Sequence, residues 1–137
     1  MKFFTDSSGW IALFDPDDKH YVLVHNRMRE ISEHGHRLVT TDYILDETIT
    51  HLVATINHNK AESFAVWVLA QKRIQIVHVD EELWDEALAL FRRYDDKEFS
   101  FTDCTSFAVM QRLKINDAFS FDHHFKQMSF RLWPRER

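Results

Sequence analysis

Apolar and polar residues follow two spacings along this chain, and the two spacings alternate. Short runs rich in apolar and β-branched residues predict strands at residues 2–6, 37–41, 73–79 and 118–121, with a last short strand at 130–132. Between these runs, apolar residues recur every three or four positions, as they do on one face of a helix. This second spacing predicts helices at residues 7–14, 21–33, 42–56, 61–71, 81–94 and 101–113.

The alternation of strands and helices predicts the fold class. Strands joined through helices form parallel crossovers, and repeated crossovers give a mainly parallel sheet with helices on both faces. The length of 137 residues fits one domain, and an apolar fraction of 45% supplies a core, while two Gly and two Pro argue against a loop-rich chain. We expect one three-layer α/β/α domain that spans residues 1–137.

Charge and cysteine content narrow the class of function. A net charge of −5 does not suit a protein that binds nucleic acid by charge alone, but a surplus of carboxylates suits acids that share a cation. Cys104 is the only cysteine, so no internal disulfide can form.

The chain has no apolar run of about 18 residues, and Asp6 comes too early for the core of a signal peptide. We therefore expect a soluble, cytoplasmic protein without a membrane contact.

Two acidic residues lie at the ends of predicted strands. Asp6 closes the strand at 2–6, and Asp122 follows the strand at 118–121. In open parallel sheets, ligands bind beyond the carboxyl ends of the strands, at the point where the strand order reverses. If these two strands are neighbours at that point, their carboxylates converge. Each residue could instead be a helix cap or a turn residue only.

Two further acids lie on predicted helices. Asp103 is in the first turn of its helix, where it can complete a capping box with Ser100 or point into the cleft of the strand-end acids. Glu47 lies opposite the apolar stripe of its helix, so it is either a solvated surface residue or a fourth acid of that cleft. Asp42 and Asp46 are nearby competitors, expected as a first-turn charge and a surface charge.

Converging carboxylates require a cation, because three or four of them repel one another unless a positive charge neutralises them. Mg²⁺ and Mn²⁺ both prefer oxygen ligands. Phosphodiester cleavage uses such an ion to activate water, to orient the phosphate and to neutralise the charge of the transition state. Taken together, the four acids favour a metal-dependent nuclease.

Four blocks of the sequence resemble the PIN-domain ribonucleases, and in particular the VapC toxins of type II VapBC toxin–antitoxin pairs. The blocks hold the four acids in the family's order and spacing; they are FTDSSGW at 4–10, TTDYILDET at 40–48, SFTDC at 100–104 and AFSFDHHF at 118–125. The last two blocks are fairly specific, and the similarity extends over nearly the whole chain.

The resemblance implies a Rossmann-like PIN domain with an acidic pocket that holds one or two Mg²⁺ or Mn²⁺ ions. The implied catalytic and metal-binding residues are Asp6, Glu47, Asp103 and Asp122. In this family Asp6 and Asp103 would bind the metal more directly, whereas Glu47 and Asp122 would act through water or on a second ion. Ser8 would position water or substrate, and Thr102 would either do the same or only support the helix cap.

The same resemblance implies an activity and partners. A water activated by the metal would attack the scissile phosphorus in line, so that RNA is cut internally to a 5′-phosphate and a 3′-hydroxyl. Transfer RNA and a ribosomal RNA loop are both expected substrates. The expected partners are a second copy of the chain, in a homodimer, and a small antitoxin whose tail blocks the acidic cleft.

Several other residues have two interpretations. Basic residues late in the chain are candidate RNA contacts or ordinary solvated residues; they are Arg112, Lys114, Lys126 and Arg135. The nine histidines lack the spacing of a zinc site and are expected at the surface or in the core, although His51 could lie just outside the pocket. Cys104 is expected to be a small buried hydrophobe. The helix at 61–71 is apolar beyond one face, so it is either buried or a subunit contact.

Two other functions remain open on the sequence. A PIN nuclease could process RNA as housekeeping or cut structured DNA. A non-catalytic, receiver-like α/β module also clusters acids at strand ends, but it needs adjacent acids after the first strand and a late lysine at a strand end. Here the first strand ends in Asp6-Ser7-Ser8, and Asp122 follows the late strand.

Overall fold

The computed structural model describes residues 1–134, and a parallel sheet of five strands lies at the centre of this part of the chain. The strands are β1 Lys2–Thr5, β2 Arg37–Thr41, β3 Ile74–Val77, β4 Asp117–Phe119 and β5 Arg131–Trp133. They lie in the order β3-β2-β1-β4-β5, and each neighbouring pair is parallel. The predicted α/β class and parallel sheet are confirmed.

The helices differ from the predicted ones mainly at their ends. They are α1 Ser7–Phe14, α2 Tyr21–Glu33, α3 Asp42–Thr55, α4 His58–Ala70, α5 Glu81–Arg93, α6 Phe101–Leu113 and α7 His124–Gln127. α4 starts earlier than predicted because the Asn57 side chain accepts a hydrogen bond from the Lys60 amide and caps it. α7 was not predicted, since one turn is too short to show a helical period. None of these helices between residues 1 and 134 has the length and apolarity that a membrane crossing requires.

Both faces of the sheet are buried. Successive strand residues point to opposite faces, and Phe3 and Phe4 are only 3% and 0% exposed. Helices therefore cover both faces, as in the predicted three layers. Trp10 of α1 is completely buried and donates from Nε1 to Thr40 Oγ1 at 3.1 Å, and the Thr40 hydroxyl donates to the Thr5 carbonyl at 2.9 Å. These bonds hold α1 against the ends of β1 and β2.

Gly9 lies where α1 comes closest to β4, and we expect Gly9→Ala to destabilise the protein. A Cβ at this position would be 2.8 Å from the Phe119 carbonyl oxygen and 2.9 Å from the Thr5 methyl carbon. Ala usually stabilises a helix interior over Gly by ~0.5–1 kcal/mol. Here the clash should outweigh that gain and lower the free energy of unfolding by about 1–3 kcal/mol. Urea denaturation measures the change, and a more stable variant would mean that α1 has room to move away from β4.

The strand order places the carboxyl ends of β1 and β4 side by side. Thr5 pairs with Phe119 in the register, so Asp6 and Ser120 follow at the same edge of the sheet. The order also reverses here, because β2 and β3 extend to one side of β1 while β4 and β5 extend to the other. The condition set from the sequence, that these two strands are neighbours, is thus confirmed. This edge is the usual place for a ligand in an open parallel sheet.

Candidate functional site

Asp6 lies at the junction of β1 and α1, and only 5% of its surface is exposed. It is the N-cap of α1, because its Oδ1 accepts hydrogen bonds from the Gly9 amide at 3.2 Å and from the Ser8 hydroxyl at 2.7 Å. Asp6 therefore caps α1 and also lies at the edge where open parallel sheets usually bind ligands.

Ser8 and Ser120 connect Asp6 to the segment that follows β4. The Ser8 hydroxyl oxygen accepts from the Phe121 amide at 2.9 Å and lies 3.3 Å from Ser120 Oγ. Ser120 Oγ in turn accepts from the Asp122 amide at 3.0 Å. These bonds hold the backbone of Asp122 beside the start of α1, where Asp6 lies.

Asp103 and Asp122 meet at His124. The Nδ1 atom of His124 lies 3.0 Å from Asp103 Oδ2 and 3.2 Å from Asp122 Oδ1, and the His124 amide donates to Asp122 Oδ1 at 2.9 Å. Asp103 also forms the capping box, since its Oδ2 accepts from the Ser100 amide at 3.0 Å and its amide donates to Ser100 Oγ at 2.9 Å. Asp103 thus helps to cap the start of α6 and also contacts the histidine that Asp122 contacts.

Glu47 is the only exposed member of the four acids. Its Oε1 accepts a hydrogen bond from the Ser7 hydroxyl, and Ser7 directly follows Asp6. Within residues 1–134, no hydrogen bond or ion pair joins Glu47 to the other three acids, so it lies at the margin of the site. His51, one helical turn further along α3, is exposed as well.

Burial makes the ionisation of two acids costly in the metal-free protein. Removal from water raises the pKa of Asp6 to about 7; hydrogen bonds from two serines and a backbone amide oppose this rise, and the charge of Asp122 adds to it. Burial also raises the pKa of Asp103 above its ordinary value, against the effect of the Ser100 amide. Asp122 again adds to the rise, and His124 opposes it.

The donor atoms fit a hard divalent cation. Carboxylate oxygens are the ligands that Mg²⁺ and Mn²⁺ prefer. Asp122 also belongs to a mixed cluster, in which one donor atom each of Asp122, His123 and His124 lies within 4.8 Å of the others and two of the donors are imidazole nitrogens. Among the described residues, the ion pairs of Asp103 and Asp122 involve only histidines, and no lysine or arginine pairs with Asp6. A bound cation would therefore supply the positive charge that the side chains do not.

Thr102 and Cys104 flank Asp103 on α6. The Thr102 carbonyl accepts from the hydroxyls of Thr105 at 2.6 Å and Ser106 at 3.2 Å, which supports the first turns of the helix. Cys104 is 0% exposed, and burial together with the negative charge of Asp103 raises the pKa of its thiol to about 11. The prediction of a buried small hydrophobe is confirmed, and the thiol is no nucleophile at neutral pH.

The basic candidates for RNA contact occupy different positions. Arg112 pairs with two glutamates of α5 at 2.7 and 3.4 Å, so its charge is partly neutralised. Lys114 ends α6 in the left-handed conformation and is exposed. Lys126 is exposed on α7 and lines a cleft next to the acidic site. Arg135 lies outside the described residues.

The residues that connect the acids were not identified from the sequence. His124 was expected as an ordinary surface or core histidine, and Ser120 had no assigned role. Both lie two residues from Asp122, and the side chains of Ser and Asp often accept from a backbone amide two residues further on, as those of Ser120 and Asp122 do. That local spacing is the one signal that could have identified them, whereas the contact of His124 with Asp103 spans 21 positions of the chain.

Comparison with known proteins identifies similar sequences. Residues 3–131 match the family model of the PIN domain. The 23S rRNA-specific endonuclease VapC20 of Mycobacterium tuberculosis is 31% identical over 128 residues, which cover 93% of this chain and 94% of that protein. A VapC ribonuclease of Archaeoglobus fulgidus is 34% identical over 90 residues, which cover 65% of this chain and 56% of that protein.

Solved structures have the same fold. The crystal structure of Mycobacterium tuberculosis VapC20, described as a sarcin–ricin loop cleaving toxin, matches with a TM-score of 0.86 and 30% identity, over 93% of this chain and 95% of that one. VapBC2 of Rickettsia felis, bound to a DNA fragment of its promoter, matches with a TM-score of 0.71 over 96% and 97% of the two chains. At 11% identity, this second likeness concerns the fold alone.

Proposed function

The chain belongs to the PIN-domain family, and on that premise we propose that it is a divalent-metal-dependent endoribonuclease and the toxin of a type II toxin–antitoxin pair. The observation that carries the proposal is a chain of contacts that links three acids at the β1–β4 edge. Ser8 and Ser120 connect Asp6 to the backbone of Asp122, and His124 connects Asp122 to Asp103. Membership of the family also sets aside the receiver-like alternative.

We assign the metal to Asp6, Asp103 and Asp122, with Glu47 at the margin of the site. The proposal is supported by two acids whose ionisation burial opposes, and by the lack of a lysine or arginine pair for them within residues 1–134. When bound, Mg²⁺ or Mn²⁺ activates water, orients the phosphate and neutralises the charge that develops in the transition state.

The side chains of the chain itself position these groups. Ser8 and Ser120 hydrogen-bond to Asp6. His124 contacts one oxygen of Asp103 and one of Asp122, so the other oxygen of these two carboxylates can face a ligand. To Glu47, whose side chain is exposed, we assign the role of accepting the proton of the attacking water. The water oxygen bonds to phosphorus while the bond to the 3′ oxygen breaks and that oxygen takes up a proton. The products carry a 5′-phosphate and a 3′-hydroxyl.

Ribosomal RNA is the substrate class that we favour. Similarity to VapC20 covers 93% of the chain, and that protein is named as specific for 23S rRNA. Its structure is also described as that of a toxin that cleaves the sarcin–ricin loop. Transfer RNA is the second substrate class that we would test beside it.

We further propose two protein partners, a second copy of the chain and a small antitoxin. On α4, Phe64 and Val68 are buried, whereas Val66 and Leu69 are 63% and 72% exposed. The alternative of a buried helix therefore holds for one face of α4 only, and the exposed apolar face supports the alternative of a subunit contact. The antitoxin is proposed from the similarity to VapC proteins.

Removal of divalent metal is expected to abolish cleavage, because the buried acids then repel the phosphate. The purified protein is incubated with ribosomal RNA and, in parallel, with transfer RNA in Mg²⁺, and the new 5′ ends are mapped by sequencing. EDTA should stop the reaction, and added Mg²⁺ or Mn²⁺ should restore it. Cleavage that persists in EDTA, or intact RNA of both classes in Mg²⁺, would contradict the proposed function.

A further inference from the structure

A concave surface lies next to the acidic site. It lies between the α1–α2 loop, the segment after β4, and strand β5, and its volume is about 700 Å³. We call it the Phe121 cleft and define it by Lys19, His20, Ser120, Phe121, Lys126 and Arg131. Pockets of about 300–1,000 Å³ usually bind small molecules or single groups of larger ones.

The charge of the Phe121 cleft is opposite to that of the chain as a whole. Lys19, Lys126 and Arg131 line it, and no acidic residue of the described part does so, although the net charge is −5. Arg131 is paired with Asp117 at 2.9 Å. Among residues 1–134, no ion pair involves Lys19 or Lys126, and both are exposed. The cleft is therefore suited to an anionic group such as a phosphate.

An aromatic pair forms part of the wall of the same cleft. The rings of His20 and Phe121 are parallel, with an interplanar angle of 0° and centroids 3.8 Å apart. Neither side chain is fully buried. Flat aromatic faces beside cations are the combination on which proteins bind unpaired bases and their phosphates.

Ser120 connects the Phe121 cleft to the acidic site. Its hydroxyl lies 3.3 Å from Ser8 Oγ and accepts from the Asp122 amide, and Ser120 also lines the cleft. A nucleic acid strand whose phosphate lies at the acids would therefore have its neighbouring nucleotide at the cleft. The two surfaces are therefore neighbours, since Ser120 and Phe121 of the cleft directly precede Asp122.

We propose that the Phe121 cleft binds one unpaired nucleotide of the RNA, next to the scissile phosphate, with its base on the His20–Phe121 pair and its phosphate at Lys19 and Lys126. This inference rests on the proposed function, because only a strand cut at the acids is placed in this way. A duplex is excluded as the bound form, since a paired base cannot lie flat against the aromatic pair.

Two substitutions separate the base contact from the phosphate contact. They are made in a protein that also carries Asp103→Asn, with Mg²⁺ present, and binding of a labelled single-stranded RNA is followed by fluorescence anisotropy at several salt concentrations. Lys126→Ala should make the slope of log K against log salt shallower by about 0.7, the value for one lost phosphate contact on a single strand. Phe121→Leu should weaken binding about tenfold and leave the slope unchanged. The same strand annealed to its complement should bind more weakly than the free strand.

Lys72→Ala is the matched control, because Lys72 is exposed before β3, outside the Phe121 cleft. Thermal unfolding verifies that each variant is folded. Because Lys126 is exposed, Lys126→Ala should stay folded and can test the inference even if Phe121→Leu unfolds. Equal slopes for Lys126→Ala and Lys72→Ala, or tighter binding of the duplex, would overturn the inference. RNA cleavage is measured separately with the protein that keeps Asp103. If the Phe121 cleft binds RNA as expected but this protein cuts no RNA, the result contradicts the proposed function and not the cleft.

Discussion

Replacing Asp103 by Asn is expected to slow RNA cleavage by roughly 10²–10³-fold, because several kcal/mol of transition-state stabilisation are lost with the metal-binding charge. Asn has the same size, and its side-chain oxygen can still accept from the Ser100 amide, so the start of α6 should be kept. Asp6→Asn should have an effect of the same size. Single-turnover rates on the mapped RNA, in Mg²⁺, measure both.

Asp46→Asn is the matched control for these two variants. Asp46 is an exposed acid of α3, next to Glu47 in the sequence, and its loss changes the net charge by the same amount. We expect it to cut RNA at the wild-type rate. If Asp103→Asn and Asp6→Asn also keep that rate while folded, the acids at the β1–β4 edge are not the site of cleavage.

Asp6→Asn is also expected to stabilise the metal-free protein at neutral and higher pH. The folded pKa of Asp6 is about 7, whereas its ordinary value is 3.8, so between these values the folded chain holds a proton that the unfolded chain has lost. Stability from this residue is therefore complete below the ordinary pKa and is lost as the pH rises through about 7. Asn has no proton to lose, so the variant should gain on the wild type by roughly 4 kcal/mol at most across this range.

Urea denaturation in EDTA, at pH about 4 and at pH about 8, measures this difference. The advantage of Asp6→Asn should be small at the lower pH and large at the higher one. Added Mg²⁺ should then stabilise the wild type more than the variant, because a ligand that binds only the folded state raises its stability. An advantage that does not change with pH would show that ionised Asp6 is not costly in the fold.

The regular elements could be predicted closely because their signals are local. α1, α2 and α6 have the bounds that the apolar spacing predicts, and β2 covers residues 37–41 as expected. Errors occur where a cap or a single turn decides the boundary. The Asn57 cap starts α4 earlier than its apolar residues indicate, and α7 contains only one turn.

The four acids could be selected from their order and spacing, but their interactions could not. Asp6 and Asp103 each have a local explanation as helix caps, and the structure confirms both caps. Only the contacts of His124 with Asp103 and Asp122 explain why Asp103 also belongs at the β1–β4 edge. Arg112 is an example of the opposite kind. The sequence made it a candidate for RNA contact, but in the structure it is paired with two glutamates of α5.

The sequence by itself determined the alternation of strands and helices, the α/β class and the four acid-bearing blocks that identify the family. It could do so because periodicity, caps and motif spacing are properties of neighbouring residues. The tertiary structure alone decided that β1 lies beside β4, that His124 joins two acids, and that Lys126 and Phe121 share a cleft with the α1–α2 loop. These are contacts between segments that are far apart in the chain. The packing of the whole sheet and its helices brings these segments together, and no local pattern in the sequence predicts that packing.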